Sequence, residues 1–481
     1  MVLDEVVREA ARRFGDRTAW IGPDGTFTYS ELDRRSDWVA GGLAEAGVCL
    51  GDRVVITRRS DGDYLVAVVA VAKLGAVAVG INPSLAPAEQ EALIALADPA
   101  LVLGPDESLP VGRPQPPLEP DPDRLAAIVF TSGTTGTPKG AMFTDRELDA
   151  VRRIDLGPLA DEWGTGGPLL AATQFAHIGI TTKLAWYLRR GSTIIGLAKW
   201  RADDVLEAVA RHRIESIGGV APQIALLLRS TRFDDLDLSC VTTLIVGGAF
   251  SPPALVAAAR ERFCATYSIR YSSTETGGTG LATAFDADDD EALHSIGRPR
   301  PGVQAKVVDP MTCEISPPGD VGELCVRTPS QMIGYWRNPE ATAATIRDGW
   351  IHTGDLALLD ERGLVRLRGR IKEQYVRGGY NVAPAEVEAA LSDHPLVIDL
   401  AIAPRTDEVM GEIGVAIVVP ADPRHPPTLD QLRSHAADRI AAWKLPEALV
   451  LVDELPLTPM LKIDRRSLAN LAAGPMTNVA P

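Results

Sequence analysis

The stretch TSGTTGTPKG, residues 131–140, follows directly on the apolar run AAIVF (126–130). Hydroxyls at Thr131, Ser132, Thr134 and Thr135, backbone amides freed at Gly133 and Gly136, and the Lys139 ammonium make a cradle for phosphate oxygens. It differs from a Walker loop. Two residues rather than four separate its glycines, and Gly140 rather than Ser or Thr follows the lysine.

Outward from this loop, short apolar runs bounded by glycine recur between helical patterns: RVVI (53–56), STIIG (192–196), ESIGGV (215–220) and TLIVGG (243–248). Continuous runs of this kind suit strands covered on both faces, which predicts an α/β architecture. The longest apolar stretch, YLVAVVAVAKLGAVAVG (64–80), is broken by Lys73 and Gly75 and falls short of a membrane span. It predicts a buried helix followed by a buried strand. The connector GPDESLPVGRPQPPLEPDP (104–122) cannot hold a helix and reads as a surface crossing.

Beyond about residue 369 the pattern changes. LVRLRGR (364–370) leads into a hairpin-like stretch, a helix opened by Pro384, the strand-like IDLAIAP and GVAIVVP, a helix near 428–443 and ALVLVDELP. The expected division is a large N-terminal unit of layered sheets and helices, 1–370, and a smaller α+β unit, 371–481.

Composition narrows the partners. The 481 residues are 46% hydrophobic and 23% charged, with 48 basic against 64 acidic side chains, a formal charge of −16. So negative a surface disfavours nucleic acid and anionic membrane as partners, while a pocket can still set its own local field. Five scattered cysteines without a C-x-x-C pair read as reduced thiols of a cytoplasmic protein, and the acidic start MVLDEVVREA is unlike a signal peptide.

Further landmarks come in a fixed order: FTYSELDRRSDWVAGGLAEAGVCLGDRVVI (27–56), Phe175-Ala-His177, Gly247-Gly248-Ala249, Tyr271-Ser272-Ser273-Thr274-Glu275, Gly322-Glu-Leu324 and Gly334-Tyr-Trp336. WIHTGD ending at Asp355, Gly369-Arg370-Ile-Lys372, GGYNVAPAEVE (378–388) and Lys462 complete them. With the 131–140 loop, this series resembles the adenylate-forming superfamily, in particular its acyl- and aryl-acid–CoA ligases, along nearly the whole chain.

The resemblance implies a nucleotide site. Thr131, Ser132 and Thr134 would grip the β- and γ-phosphates of ATP. Mg2+ would be held by Thr134 or Thr135 together with Glu275, hard oxygen ligands for a hard cation. Asp355 would accept both ribose hydroxyls, and Arg370 would reach the ribose and phosphate side. Gly247, Gly248 and Ala249 would let adenine lie against bare backbone, with Tyr271 stacked on the base. Lys462 would bridge the acid's carboxylate and the α-phosphate. Lys372 would be the pivot of a mobile C-terminal domain, and Gly378 and Gly379 would line the pantetheine tunnel of coenzyme A. Leu461 and Ser272 depart from the family, which usually has glycine at both places.

Amino-acid-activating relatives carry an aspartate where this chain has Ala176. An ammonium buried without a counter-charge costs several kcal/mol, so α-amino acids are excluded. His177 resembles a pocket gate. Gly219, Val220, Ala249, Ser272 and Gly278 would line a small apolar pocket for an aliphatic, alicyclic or aryl acid. The expected activity is acid activation to acyl-AMP followed by thioester formation with coenzyme A. The alternatives are loading of a carrier-protein phosphopantetheine, an enzyme of mainly one half-reaction, or a catalytically dead nucleotide binder.

Overall fold

The computed structural model describes residues 2–105, 107–131, 138–171, 173–458, 462–474 and 478–479. The apolar runs became strands nearly residue for residue: Arg53–Ile56, Leu125–Thr131, Thr193–Ile195, Ser216–Gly219 and Thr243–Gly247. The 64–80 stretch is the helix Gly62–Lys73 followed by the strand Val77–Gly80. Lys73, which ends that helix, is buried, and its ammonium lies 2.6 Å from Asp33 and 2.8 Å from Asp37. Two carboxylates therefore compensate a cation that burial alone would make costly.

Two layers matter for the site. One sheet runs in the order Gly334–Tyr335, Lys139–Thr144, Leu125–Thr131, Val77–Gly80, Arg53–Ile56, Leu101–Leu103. The other runs Ser216–Gly219, Thr243–Gly247, Thr266–Tyr271, Leu281–Ala282, Arg298–Pro299, its first three strands parallel. Thr131, Gly247 and Tyr271 end their strands, and in open α/β sheets ligands gather at such carboxyl ends. The faces of the second sheet differ sharply. Ile217, Leu244, Val246 and Ile269 are buried in a core with Val256, Ala259 and Phe263 of the helix Pro253–Phe263. On the opposite face Gly218 is exposed, and Ile245, Gly247 and Arg270 are half-buried.

A third sheet holds Gln304–Val308, Gly322–Arg327, Trp350–Leu359 and Ile346–Arg347, with Val365–Arg370 paired to Trp350–Leu359. The connector 104–122 has no helix or strand among its described residues and lies over the helix Tyr29–Glu45, where Gly112 N–H donates to the Trp38 carbonyl. A fourth, four-stranded sheet pairs Thr18–Gly22 with Thr193–Ile195.

After the 3-10 turn Ile371–Glu373, a separate C-terminal sheet forms around the long pair Val397–Asp407 and Gly411–Pro420. It carries the hairpin Tyr375–Arg377/Tyr380–Val382, and the helix Pro384–Leu391 packs in its own apolar core with Leu400, Ile402 and Leu432. Gly378 and Gly379 form the two-residue hairpin turn, both at positive φ, as that kind of turn demands. The architecture is thus mixed α/β with a large N-terminal part and a smaller α+β C-terminal part. Among the described residues, no helix is long and apolar enough to cross a membrane.

Candidate active site

Three structures converge at the carboxyl ends of the parallel strands. The first is the hairpin of Leu125–Thr131 and Lys139–Thr144, in which Thr131 pairs with Lys139. Ser132, Gly133, Thr134, Thr135 and Gly136 lie outside the described residues, as does Leu461. Beside the hairpin, Trp336 N–H donates to the Gly140 carbonyl and Tyr335 pairs with Ala141, so Gly334–Tyr335 extends the sheet edge. This places the Lys139 ammonium 5.1 Å from the centre of the Tyr335 ring.

The second is the turn after Thr266–Tyr271. Thr276 N–H donates to Ser273 Oγ, Gly277 N–H to the Thr274 carbonyl, and Gly278 N–H to the Ser273 carbonyl. The turn presents Glu275, whose Oε1 accepts from the Tyr335 hydroxyl at 2.7 Å and whose carbonyl accepts from Met332 N–H. Oε2 has no hydrogen-bond partner among the described residues. Burial, with the Glu275 charge beside it, raises the Tyr335 phenol far above its ordinary range, so it stays a donor.

The third is Asp355, 7% exposed, in the strand Trp350–Leu359. Its Oδ2 accepts from the Tyr271 hydroxyl at 2.5 Å, and Arg370 Nε lies 2.7 Å from Oδ1 across a direct strand pairing. Burial raises the carboxyl's pKa, while Arg370 and Tyr271 oppose the shift. The turn leading to it is braced from below. Glu323 takes His352 Nδ1 on one oxygen at 2.7 Å and the Gly354 N–H on the other at 3.0 Å. Thr353 Oγ1 donates to the Leu324 carbonyl, which explains the chemistry of the run His-Thr-Gly-Asp.

Lys462 enters from the C-terminal part. Its carbonyl accepts from Thr458 N–H, and its side chain approaches Gly248: a Cβ built on that glycine would stand 3.7 Å from Lys462 Cε and 3.9 Å from Nζ. Gly248 has φ +76° and is exposed, so the lysine faces backbone with no side chain in between. Burial lowers the ammonium's pKa; Arg370 adds to the shift and Glu275 opposes it. His177, opening the short helix Ile178–Thr181, feels Lys462 as well. Burial first, and then Lys462, pull its pKa down to about 4, leaving a neutral ring whose buried Nε2 has no partner among the described residues.

Of the residues singled out in the sequence, the structure brings together Lys139, His177, Gly247, Gly248, Tyr271, Glu275, Asp355, Arg370 and Lys462, with Ala249, Ser272, Ser273 and Thr274 on the connecting loops. Lys372, Gly378 and Gly379 are exposed on the turn and hairpin beyond Arg370, with no contact to this cluster among the described residues. Sequence reading gave no role to Tyr335, although it quoted the motif containing it, and passed over Arg270, one residue before Tyr271. No spacing rule signals either one.

Two family models match: the AMP-binding enzyme model over residues 7–111 and 104–336, and the AMP-binding enzyme C-terminal domain over 386–462. The chain is 34% identical over 462 residues to a feruloyl-CoA synthase of Amycolatopsis sp, spanning 91% of this chain and 92% of that one. It is 31% identical over 474 residues to the fatty acid–[acyl-carrier-protein] ligase ScoC of Streptomyces coeruleorubidus, spanning 92% and 91%. The amide bond synthetase McbA of Marinactinospora thermotolerans superposes with TM-score 0.86 at 28% identity, over 97% of this chain and 99% of that one. Both family models and relatives matched along nearly the whole chain together place this chain in the AMP-binding, adenylate-forming enzyme family, on its acid–CoA ligase branch.

Proposed function

We propose that this protein is an AMP-forming acid–CoA ligase. It activates a carboxylic acid with ATP, releases pyrophosphate, and passes the acyl group from acyl-AMP to the thiol of coenzyme A. Attack of one anion on another requires cations where negative charge accumulates. Lys462 supplies one, reaching past Gly248 to the meeting point of the acid and the α-phosphate; Lys139 supplies another beside the phosphate loop. Asp355, steadied by Tyr271 and Arg370, offers two acceptor oxygens to the ribose diol. The single observation that carries this reading is Lys462 standing against Gly248 with Glu275 and Arg370 in its field.

Glu275 fits a magnesium ligand, because nothing among the described residues engages its Oε2 while Tyr335 holds Oε1. With Thr134 or Thr135 it would hold Mg2+, which when bound offsets triphosphate charge. The neutral His177 beside the acyl entrance suits an uncharged gate.

In this reading the large domain is 1–370 and the small one 371–481, with Lys372 as pivot. Swinging the small domain withdraws Lys462 and brings the Gly378-Gly379 turn to the pantetheine path. That the last strand of the third sheet ends at Arg370, with only a 3-10 turn before the next sheet, supports a hinge there. Five unpaired thiols accord with a cytoplasmic setting.

A carrier-protein phosphopantetheine is the second acceptor to consider, since ScoC is named for one. Incubating acid, ATP and Mg2+ with and without coenzyme A separates the readings. AMP together with acyl-CoA is the expected result; acyl-AMP that coenzyme A fails to discharge, but the free thiol of a phosphopantetheine-bearing carrier domain consumes, would move the assignment to the carrier ligase.

A further inference from the structure

Arg270 is a half-buried guanidinium with no carboxylate within ion-pair distance and no hydrogen-bond acceptor among the described residues; the Phe285 ring lies 5.1 Å from Cζ, and Asp155 acts on it only from farther off. It sits on the open face of the second sheet. Arg270 pairs with Gly247, and Gly218 with Ile245, so these four share the face turned away from the core. Gly247 adjoins Gly248, the residue that Lys462 approaches.

Further cations stand near Arg270. A Cβ on Gly278 would stand 3.4 Å from Ile178 and 3.6 Å from Thr182, so the helix opened by His177 closes over this floor. The residue after Thr182 is Lys183, 3.3 Å from Asp155, whose other oxygen is held by Arg300 at 2.5 Å. Arg300 N–H in turn donates to the Gly280 carbonyl. Three cations, Lys183, Arg270 and Arg300, thus share one carboxylate, Asp155. Burial, with Arg300 pushing the same way and Asp155 opposing, draws the Arg270 guanidinium down to about 10. An unpaired cation in such a place is costly unless a ligand brings the missing charge.

We infer that the acid this enzyme activates carries a second carboxylate at its far end, and that Arg270 pairs with it while Lys462 meets the carboxylate being activated. A planar guanidinium matches a carboxylate with two parallel donors. Neighbouring strands lie about 4.8 Å apart, so a short dicarboxylic acid lying across Gly247 spans the two cations. Reaction of one end leaves the other ionised and held, and the product is the half-thioester of a diacid.

This rests on the ligase reading, and two measurements keep them apart. The first is pyrophosphate release and acyl-CoA formation with matched pairs, glutarate against pentanoate and adipate against hexanoate. The full chain should favour the better diacid over its partner at least about a hundredfold in kcat/KM, since a polar group built to pair its ligand rejects the analogue lacking it. Arg270→Met should erase that preference through KM and accept the monoacid at least as well as the parent does, which also shows that the variant is folded. Monoacids preferred by the parent, or a diacid preference that survives Arg270→Met, overturns the inference and leaves the ligase reading standing. The second is calorimetric binding of adipate in the presence of a non-hydrolysable ATP analogue. Binding to the parent but not to Arg270→Met, without turnover, sustains the second-carboxylate site and overturns the ligase reading; no binding of adipate to the parent overturns the site.

Discussion

The Tyr271 hydroxyl donates to Asp355 Oδ2 across 2.5 Å, joining the end of one sheet to the strand of another. That bond holds the carboxylate in place for the ribose that the proposed function assigns to it. Hydrogen bonds to charged groups are worth about 1.5–3 kcal/mol. Tyr271→Phe should therefore raise the KM for ATP by about ten- to a hundredfold while changing the KM for the acid little. Steady-state pyrophosphate release with each substrate varied in turn checks this; equal effects on both would mean that Tyr271 acts on the acyl pocket instead.

Glu275→Gln keeps its one oxygen as the acceptor for Tyr335 and puts an NH2 group where the free carboxylate oxygen stood. The Mg2+ concentration giving half-maximal rate should rise at least about tenfold, at unchanged acid KM, because an amide NH2 offers a hard cation no oxygen ligand. A magnesium titration with ATP held constant reads this directly.

His177 gives a pH signature. Its folded pKa is about 4 against 6.5 for the free side chain. The unfolded chain therefore binds a proton that the folded one refuses, and stability must fall as pH drops from about 6.5 to about 4. At about 1.4 kcal/mol per unit, this one residue accounts for up to about 3 kcal/mol. Thermal melts across that window should flatten in His177→Gln, and an unchanged slope would place the acid sensitivity elsewhere.

Gly247→Ala tests the floor of the cleft. The added Cβ would stand 2.5 Å from the Arg270 carbonyl oxygen, a backbone atom that cannot move aside alone. Overpacking of this kind costs about 1–3 kcal/mol. The melting temperature should drop by several degrees, and ATP affinity should fall with it. A melt identical to the parent's would show that the strands separate more easily than their register suggests.

Much of the fold could be read from residues alone, because burial on both faces writes itself as unbroken apolar runs. RVVI became Arg53–Ile56 without error, and Pro384 opens its helix as expected. Lys73 looked like an interruption because its two neutralising carboxylates lie on another helix, Tyr29–Glu45. The site was legible to the extent that motifs crowd into loops. Tyr335 and Glu275 meet across 60 positions through a sheet edge that no local pattern reveals. Arg270 sits in TYSIRY, an alternating strand like any other; only the register with Gly247 shows that it lies on the face turned away from the core.

Pivot and lysine should separate cleanly. Lys372→Pro, which stiffens the turn between the third and last sheets, should depress thioester formation from supplied acyl-AMP and leave adenylation within about threefold. Single-turnover assays of each half-reaction measure both numbers on the same preparation.

The most direct measurement is the same pair of half-reactions in Lys462→Ala. If the ammonium beside Gly248 is the cation that joins acid to α-phosphate, adenylation should slow by about 10²–10³, the scale of losing one transition-state donor, while acyl-CoA formation from supplied acyl-AMP stays near the parent rate. Equal losses in both halves, or adenylation at the parent rate, would contradict the account.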